Sequence, residues 1–132
     1  MMGSYGFPAP PVVLVVDNEP LVRMTAADEL DEAGFQILEA ANADEALGVL
    51  EERANEVQVL FTDMNMPGSM DGLALAEQVH QRWPHVLLLI SSGYAQLHPA
   101  EIPDHGHFVP KPYIGATLVR HITEMMQTLR RT

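Results

Sequence analysis

Two kinds of apolar pattern alternate along this chain. Val12 to Val16 (VVLVV) is an unbroken apolar run of strand length, and beyond it Leu21, Met24, Ala27 and Leu30 recur at helical spacing. Pro20 suits that helix's first turn, where its missing N–H goes unused, and Gly34 supplies a stop. Phe35 to Leu38 (FQIL) is short and half polar, which suits an edge strand. Asn42 followed by Glu45 reads as a capping box that opens a helix through Ala46, Leu47 and Leu50. Val57 to Phe61 (VQVLF) is a third strand, leading into TDMNMPGSMDG, a loop rich in turn residues. Asp71 can cap a helix with an apolar face of Leu73, Ala76, Val79 and Trp83, ended by Pro84. Val86 to Ile90 (VLLLI) is the most apolar strand. Pro99, Pro103 and Gly106 then predict a short or irregular helix over residues 95–106. His107 to Val109 is a brief last strand. A helix from about Ile114 to Arg130 presents Leu118, Val119, Ile122, Met125, Met126 and Leu129 on one face.

Strand and helix alternating in this way predict an α/β fold, a five-stranded parallel sheet wound on both sides with about five helices, the fourth irregular. Right-handed crossovers leave few strand orders. In the order 2-1-3-4-5, the half-polar second strand and the short fifth strand are the edges. Strands one and three are then neighbours at the switch point, where such sheets bind ligands beyond their carboxyl ends.

Composition narrows the chemistry. With 132 residues and 47% hydrophobic content, one domain with a real core is expected over residues 12–132, after a Gly- and Pro-rich arm at 1–11 expected to be disordered. Seven Lys and Arg against eighteen Asp and Glu give a formal charge of −11, which argues against direct binding to nucleic acid or anionic membrane. Cysteine is absent, so thiol chemistry and disulfides are excluded. No apolar stretch is long enough to cross a bilayer, and a cytoplasmic location is the simplest expectation. The six histidines show no ligand spacing.

The polar residues that matter sit at strand ends. Asp17, Asn18 and Glu19 follow strand one, Asp63 follows strand three, Ser91 and Ser92 follow strand four, and Lys111 follows strand five. One reading is that the first three only cap a helix, as Asp71 does. For Asp63 that reading is weaker, because a loop intervenes before the next helix. Carboxylates, an amide, a hydroxyl and an ammonium on one rim suit a hard cation such as Mg²⁺. They also suit a carboxylate that attacks phosphorus while cations neutralise the equatorial oxygens.

In five pieces, VLVVDNEP, FTDMNMP, MDGLALA, LLISSGYA and FVPKPY, the chain resembles the receiver domain (CheY-like) of bacterial two-component response regulators. The resemblance runs from Val12 to about Leu129 and implies the flavodoxin-like 2-1-3-4-5 order. It also implies that Asp63 is the phosphoacceptor, that Asp17 and Asn18 stand at the acidic metal-pocket positions, and that Asn65 gives a backbone carbonyl to Mg²⁺. Ser92 is implied as the switch hydroxyl beside Gly93, Lys111 as the phosphate-contacting lysine, Phe108 as the aromatic switch residue, and Lys111–Pro112 as a cis bond. The implied function is that of a stand-alone phosphoacceptor with self-catalysed phosphorylation and dephosphorylation, and not a conventional enzyme. Its partners would be a sensor histidine kinase or histidine phosphotransfer protein and a downstream protein.

Three departures modify this picture. Asn18 replaces the usual second acid, which predicts weak Mg²⁺ binding. GSMDG is one residue longer than the shortest loop of the family, and Tyr94 to Gly106 matches the usual fourth helix poorly. The competing reading is a receiver-like binding module that is not phosphorylated. A haloacid-dehalogenase-like phosphatase is disfavoured, since Asn65 stands where a second Asp belongs.

Overall fold

The computed structural model describes residues 10–64, 66, 68, 70–92, 106–111, 113 and 115–131. Asn65, Gly93, the Lys111–Pro112 bond, the arm up to residue 9 and most of the predicted irregular helix lie outside these. The strands are β1 (Val12–Val16), β2 (Gln36–Ala40), β3 (Val57–Asp63), β4 (Leu87–Ser92) and β5 (His107–Pro110). The helices among the described residues are α1 (Pro20–Glu32), α2 (Ala43–Arg53), α3 (Gly72–Arg82) and α4 (Gly115–Arg131). All neighbouring strands run parallel in the order β2-β1-β3-β4-β5, as expected.

Every residue of β1 is buried because helices cover both faces of the sheet. On one face Leu14, Val16, Leu60 and Ile90 pack with Ala46 and Leu50 of α2 and with Leu75 and Val79 of α3. On the other, Val13, Val15, Phe61, Leu89 and Val109 pack with Leu30 of α1 and with Leu118 and Ile122 of α4. Each fully buried Leu or Ile contributes roughly 1.5–3 kcal/mol.

Local chemistry sets the helix starts. Asn42 Oδ1 accepts the Glu45 N–H at 2.9 Å and Glu45 reaches back to the Ala41 N–H at 2.8 Å, while Asp71 Oδ1 accepts the Ala74 N–H at 2.9 Å. Gly34, at φ +102°, makes the turn into β2.

The expected face of α1 needs correction. Its buried residues are Ala26, Ala27 and Leu30, whereas Leu21 is 79% exposed and Met24 51% exposed. At 3.6 residues per turn Leu21 falls about half a turn from Leu30. Arg23 occupies the sheet-facing stripe instead, and its guanidinium donates to the Asp17 carbonyl at 2.8 Å and to Glu39 at 3.2 Å. Strands three and four also run further than their apolar runs, so Asp63 and Ser92 are the last residues of β3 and β4.

Candidate functional site

The carboxyl ends of β1, β3, β4 and β5 bring the polar residues together. Asp17 directly follows β1, and its Oδ1 accepts the Glu19 N–H at 2.9 Å, a local turn that leads the chain into α1. That bond holds the cap residue and not an N–H of the helix; Glu19 occupies the cap position of α1 without a side-chain cap bond. Asp63 ends β3, and the next residue, Met64, donates its N–H to the Ser91 carbonyl at 2.7 Å, tying the rim of β3 to β4. Lys111 leaves β5 with its N–H bound to the Ser92 carbonyl at 3.0 Å.

These anchors aim one ammonium at two carboxylates. Lys111 Nζ lies 3.4 Å from Asp63 Oδ1 and 3.6 Å from Asp17 Oδ2. Asp17 is 5% exposed and Asp63 6% exposed, so both charges sit in a medium where pairing matters more than in water. Two carboxylates and one ammonium leave one formal negative charge on the rim. Lys111 is the only lysine in the chain.

Two neighbours that spacing did not single out, Gly72 and Tyr113, complete the rim together with Ser91. Gly72 opens α3 against the backbone of Asp63 and Met64; a Cβ there would stand 2.7 Å from the Asp63 carbonyl carbon and 2.8 Å from Met64 Cα. The DG pair in MDGLALA was its sequence signal. Tyr113 packs edge-on against Phe61 with ring centroids 5.7 Å apart. Burial first, then the negative Asp17 and Asp63, push its phenol up to about 12, so it stays protonated beside the rim. Ser91 lies in register with Asp63 and is buried.

The remaining predicted residues divide. Ser92 is buried and follows Ile90 on the α2–α3 side of the sheet, the side against which Phe108 also packs. Asn18 is exposed and outside the buried pair. Asn65 lies outside the described residues. Among the described residues no three His, Cys, Asp or Glu side chains converge as a metal cage. The two buried carboxylates nevertheless fit Mg²⁺, which commonly takes one or two carboxylates and fills its other positions with water and phosphate oxygens. His107, in the expected last strand, is half-buried on β5, with its ring edge-on to His121 and the centroids 6.0 Å apart.

Comparison with known proteins bears on the same geometry. The sensor kinase CckA of Brucella abortus is 33% identical over 118 residues, which cover 87% of this chain and 12% of that protein. The chain thus spans only a small part of that relative. The receiver domain of NtrX from the same species superposes with a TM-score of 0.78 at 28% identity, covering 88% of this chain and 98% of that one. A response regulator receiver domain protein from Clostridium thermocellum shares the fold with a TM-score of 0.83 at 23% identity, covering 91% and 97%. The model of the response regulator receiver domain matches residues 13–123, and it is to this family that the chain belongs.

Proposed function

We propose that Asp63 accepts a phosphoryl group from a phosphohistidine on a sensor kinase or phosphotransfer protein. The observation that carries this reading is the Lys111 ammonium within 3.6 Å of two buried carboxylates at adjacent strand ends. An oxygen of Asp63 bonds to phosphorus as the P–N bond breaks, and the electron pair returns to the imidazole. Lys111 follows the phosphoryl oxygens, where a charge-assisted contact outweighs its loose hold on Asp63. Asp17 and Asp63 would hold Mg²⁺, which supplies charge neutralisation at the phosphoryl oxygens. Ser92 then turns its hydroxyl to the phosphoryl group, and Phe108, on the same side of the sheet, moves into the room it leaves. The signal leaves as a changed protein-binding face or as onward transfer, in the cytoplasm. Among the described residues no helix is long and apolar enough to cross a membrane.

A second reading has one observation in its favour. Asn18 is exposed and no third acid joins the pair among the described residues, which suits a binding module that is not phosphorylated. Incubation with a small phosphodonor and Mg²⁺, followed by intact mass, separates the two. One phosphoryl gained, and lost in Asp63→Asn, supports the acceptor; no gain supports the binding module.

A further inference from the structure

Strand alternation puts Ser91, and not Ser92, in the row that carries the two carboxylates and the ammonium. Val15, Phe61, Leu89 and Val109 all belong to the α1–α4 core. With a period of two, the next residues on that side are Asp17, Asp63, Ser91 and Lys111. The register agrees, since Ser91 lies opposite Asp63 on β3 and Val109 on β5. Lys111 starts from β5, yet its ammonium reaches Asp63 on β3 and Asp17 beyond β1. Its stem therefore crosses the place on β4 that Ser91 occupies. Ser91 is 1% exposed, and its Oγ has no hydrogen-bond partner among the described residues. An unpaired buried hydroxyl is costly, and a methyl group would fill the same space without that cost. The hydroxyl is accounted for if another state of the rim pairs it.

We propose that Ser91 is a positioning residue whose hydroxyl donates to the acyl oxygen of phosphorylated Asp63 and thereby shortens the life of the phosphoryl group. This rests on the reading of Asp63 as the acceptor. Before phosphorylation the ammonium holds Asp63 Oδ1. Once Lys111 moves to the phosphoryl oxygens, the acyl oxygen loses that partner, and a χ1 rotation on the neighbouring strand brings the Ser91 hydroxyl to it. In hydrolysis a water oxygen bonds to phosphorus while the P–O bond to Asp63 breaks. The electron pair returns to the carboxylate, and inorganic phosphate leaves, its protons shared with solvent. Negative charge grows on the carboxyl group as the bond breaks, so a donor placed there binds the transition state more tightly than the ground state.

Ser91→Thr and Ser91→Val test this, because they differ by a hydroxyl for a methyl at nearly constant shape. Each protein is loaded with a small phosphodonor, the donor is removed, and the decay of the phosphorylated species is followed by intact mass. The Thr variant keeps the wild-type lifetime. The Val variant lengthens it about two- to tenfold, the range of one net hydrogen bond. Ser91→Ala, too small to crowd the lysine stem, lengthens it likewise. A merely structural serine would shift unfolding midpoints without separating these lifetimes. Equal lifetimes in all four proteins overturn the proposal while leaving Asp63 as acceptor. No phosphoryl uptake by the wild type overturns the acceptor reading and this proposal with it.

Discussion

Lys111 is the residue on which the rim's charge balance turns. Its side chain is 22% exposed and faces two carboxylates that are each 6% exposed. Removing it leaves two like charges facing each other with little water, so Lys111→Met should lower stability by about 1–2 kcal/mol, less than for a fully buried pair. Adding Asp17→Asn should restore part of that loss, read from urea unfolding at neutral pH. If Lys111→Met unfolds like the wild type, the ammonium is held too loosely to matter. Asn18 gives a second expectation. It is exposed, so an added carboxylate would act on a cation through a water-like medium. Asn18→Asp should tighten Mg²⁺ about thirtyfold at low salt by calorimetric titration, the scale of one added charge facing a divalent ion at about 4 Å in water. Equal affinities would mean that position 18 does not face the ion. His121 supplies a pH effect. Burial holds its imidazole below the ordinary 6.5, helped by His107 and Arg120 and opposed by Glu124. As pH falls through 6.5 the unfolded chain gains a proton that the folded one still refuses, so stability drops. His121→Gln should flatten the fall in unfolding midpoint between neutral pH and about pH 5.5; an unchanged slope assigns it to other groups. The sequence made Asp17, Asp63 and Lys111 readable because charges stand out at the ends of apolar runs. Ser91 was named at its strand end, but its place beside Asp63 was not readable, because only the register tells which of two adjacent serines shares that side.

At the scale of elements, the close seat of α3 on β3 fixes where Asp63 points. Gly72→Ala pushes a methyl group into backbone atoms of Asp63 and Met64, which cannot swing aside. The expected cost is about 1–3 kcal/mol of overpacking, together with slower phosphoryl uptake. Gly48→Ala in α2 is the control: nothing lies within 4 Å of the added atom, and the exchange should stabilise by about 0.5–1 kcal/mol. Matching unfolding curves for the two variants would contradict the close seat. Element types followed from periodicity and caps, and Asn42 and Asp71 were found as written. Strand ends were less legible, since a hydrophobic pattern stops at the last apolar side chain while hydrogen bonding carries β3 to Asp63 and β4 to Ser92. The face of α1 misled for another reason. Leu21 and Met24 look like core, but Arg23 has polar partners on the sheet side that set the helix's rotation.

For the whole molecule, the sheet separates two cores, and the ends of its strands carry the polar rim. Asp63 lies on the α1–α4 side and Ser92 with Phe108 on the α2–α3 side, so a phosphoryl group at the rim can bias both. Phe108 lacks a hydroxyl, and its inward state gains packing without a hydrogen bond. A phosphate mimic should therefore shift backbone resonances across residues 106–125, and more weakly in Ser92→Ala. Resonances that stay in place would remove this route. The parallel order was legible because alternating patterns and right-handed crossovers leave few alternatives.

A five-stranded sheet also has two outer edges. The Lys111 N–H points inward to the Ser92 carbonyl, so the alternate residue Pro110 turns its backbone outward, where it has no N–H to offer. On the opposite edge β2 carries Glu39, tied to Arg23. One border thus lacks a donor at Pro110 and the other bears a charge, two devices that work against strands of a second molecule adding on. In a crowded solution, edge-to-edge growth towards fibrils would meet both obstacles.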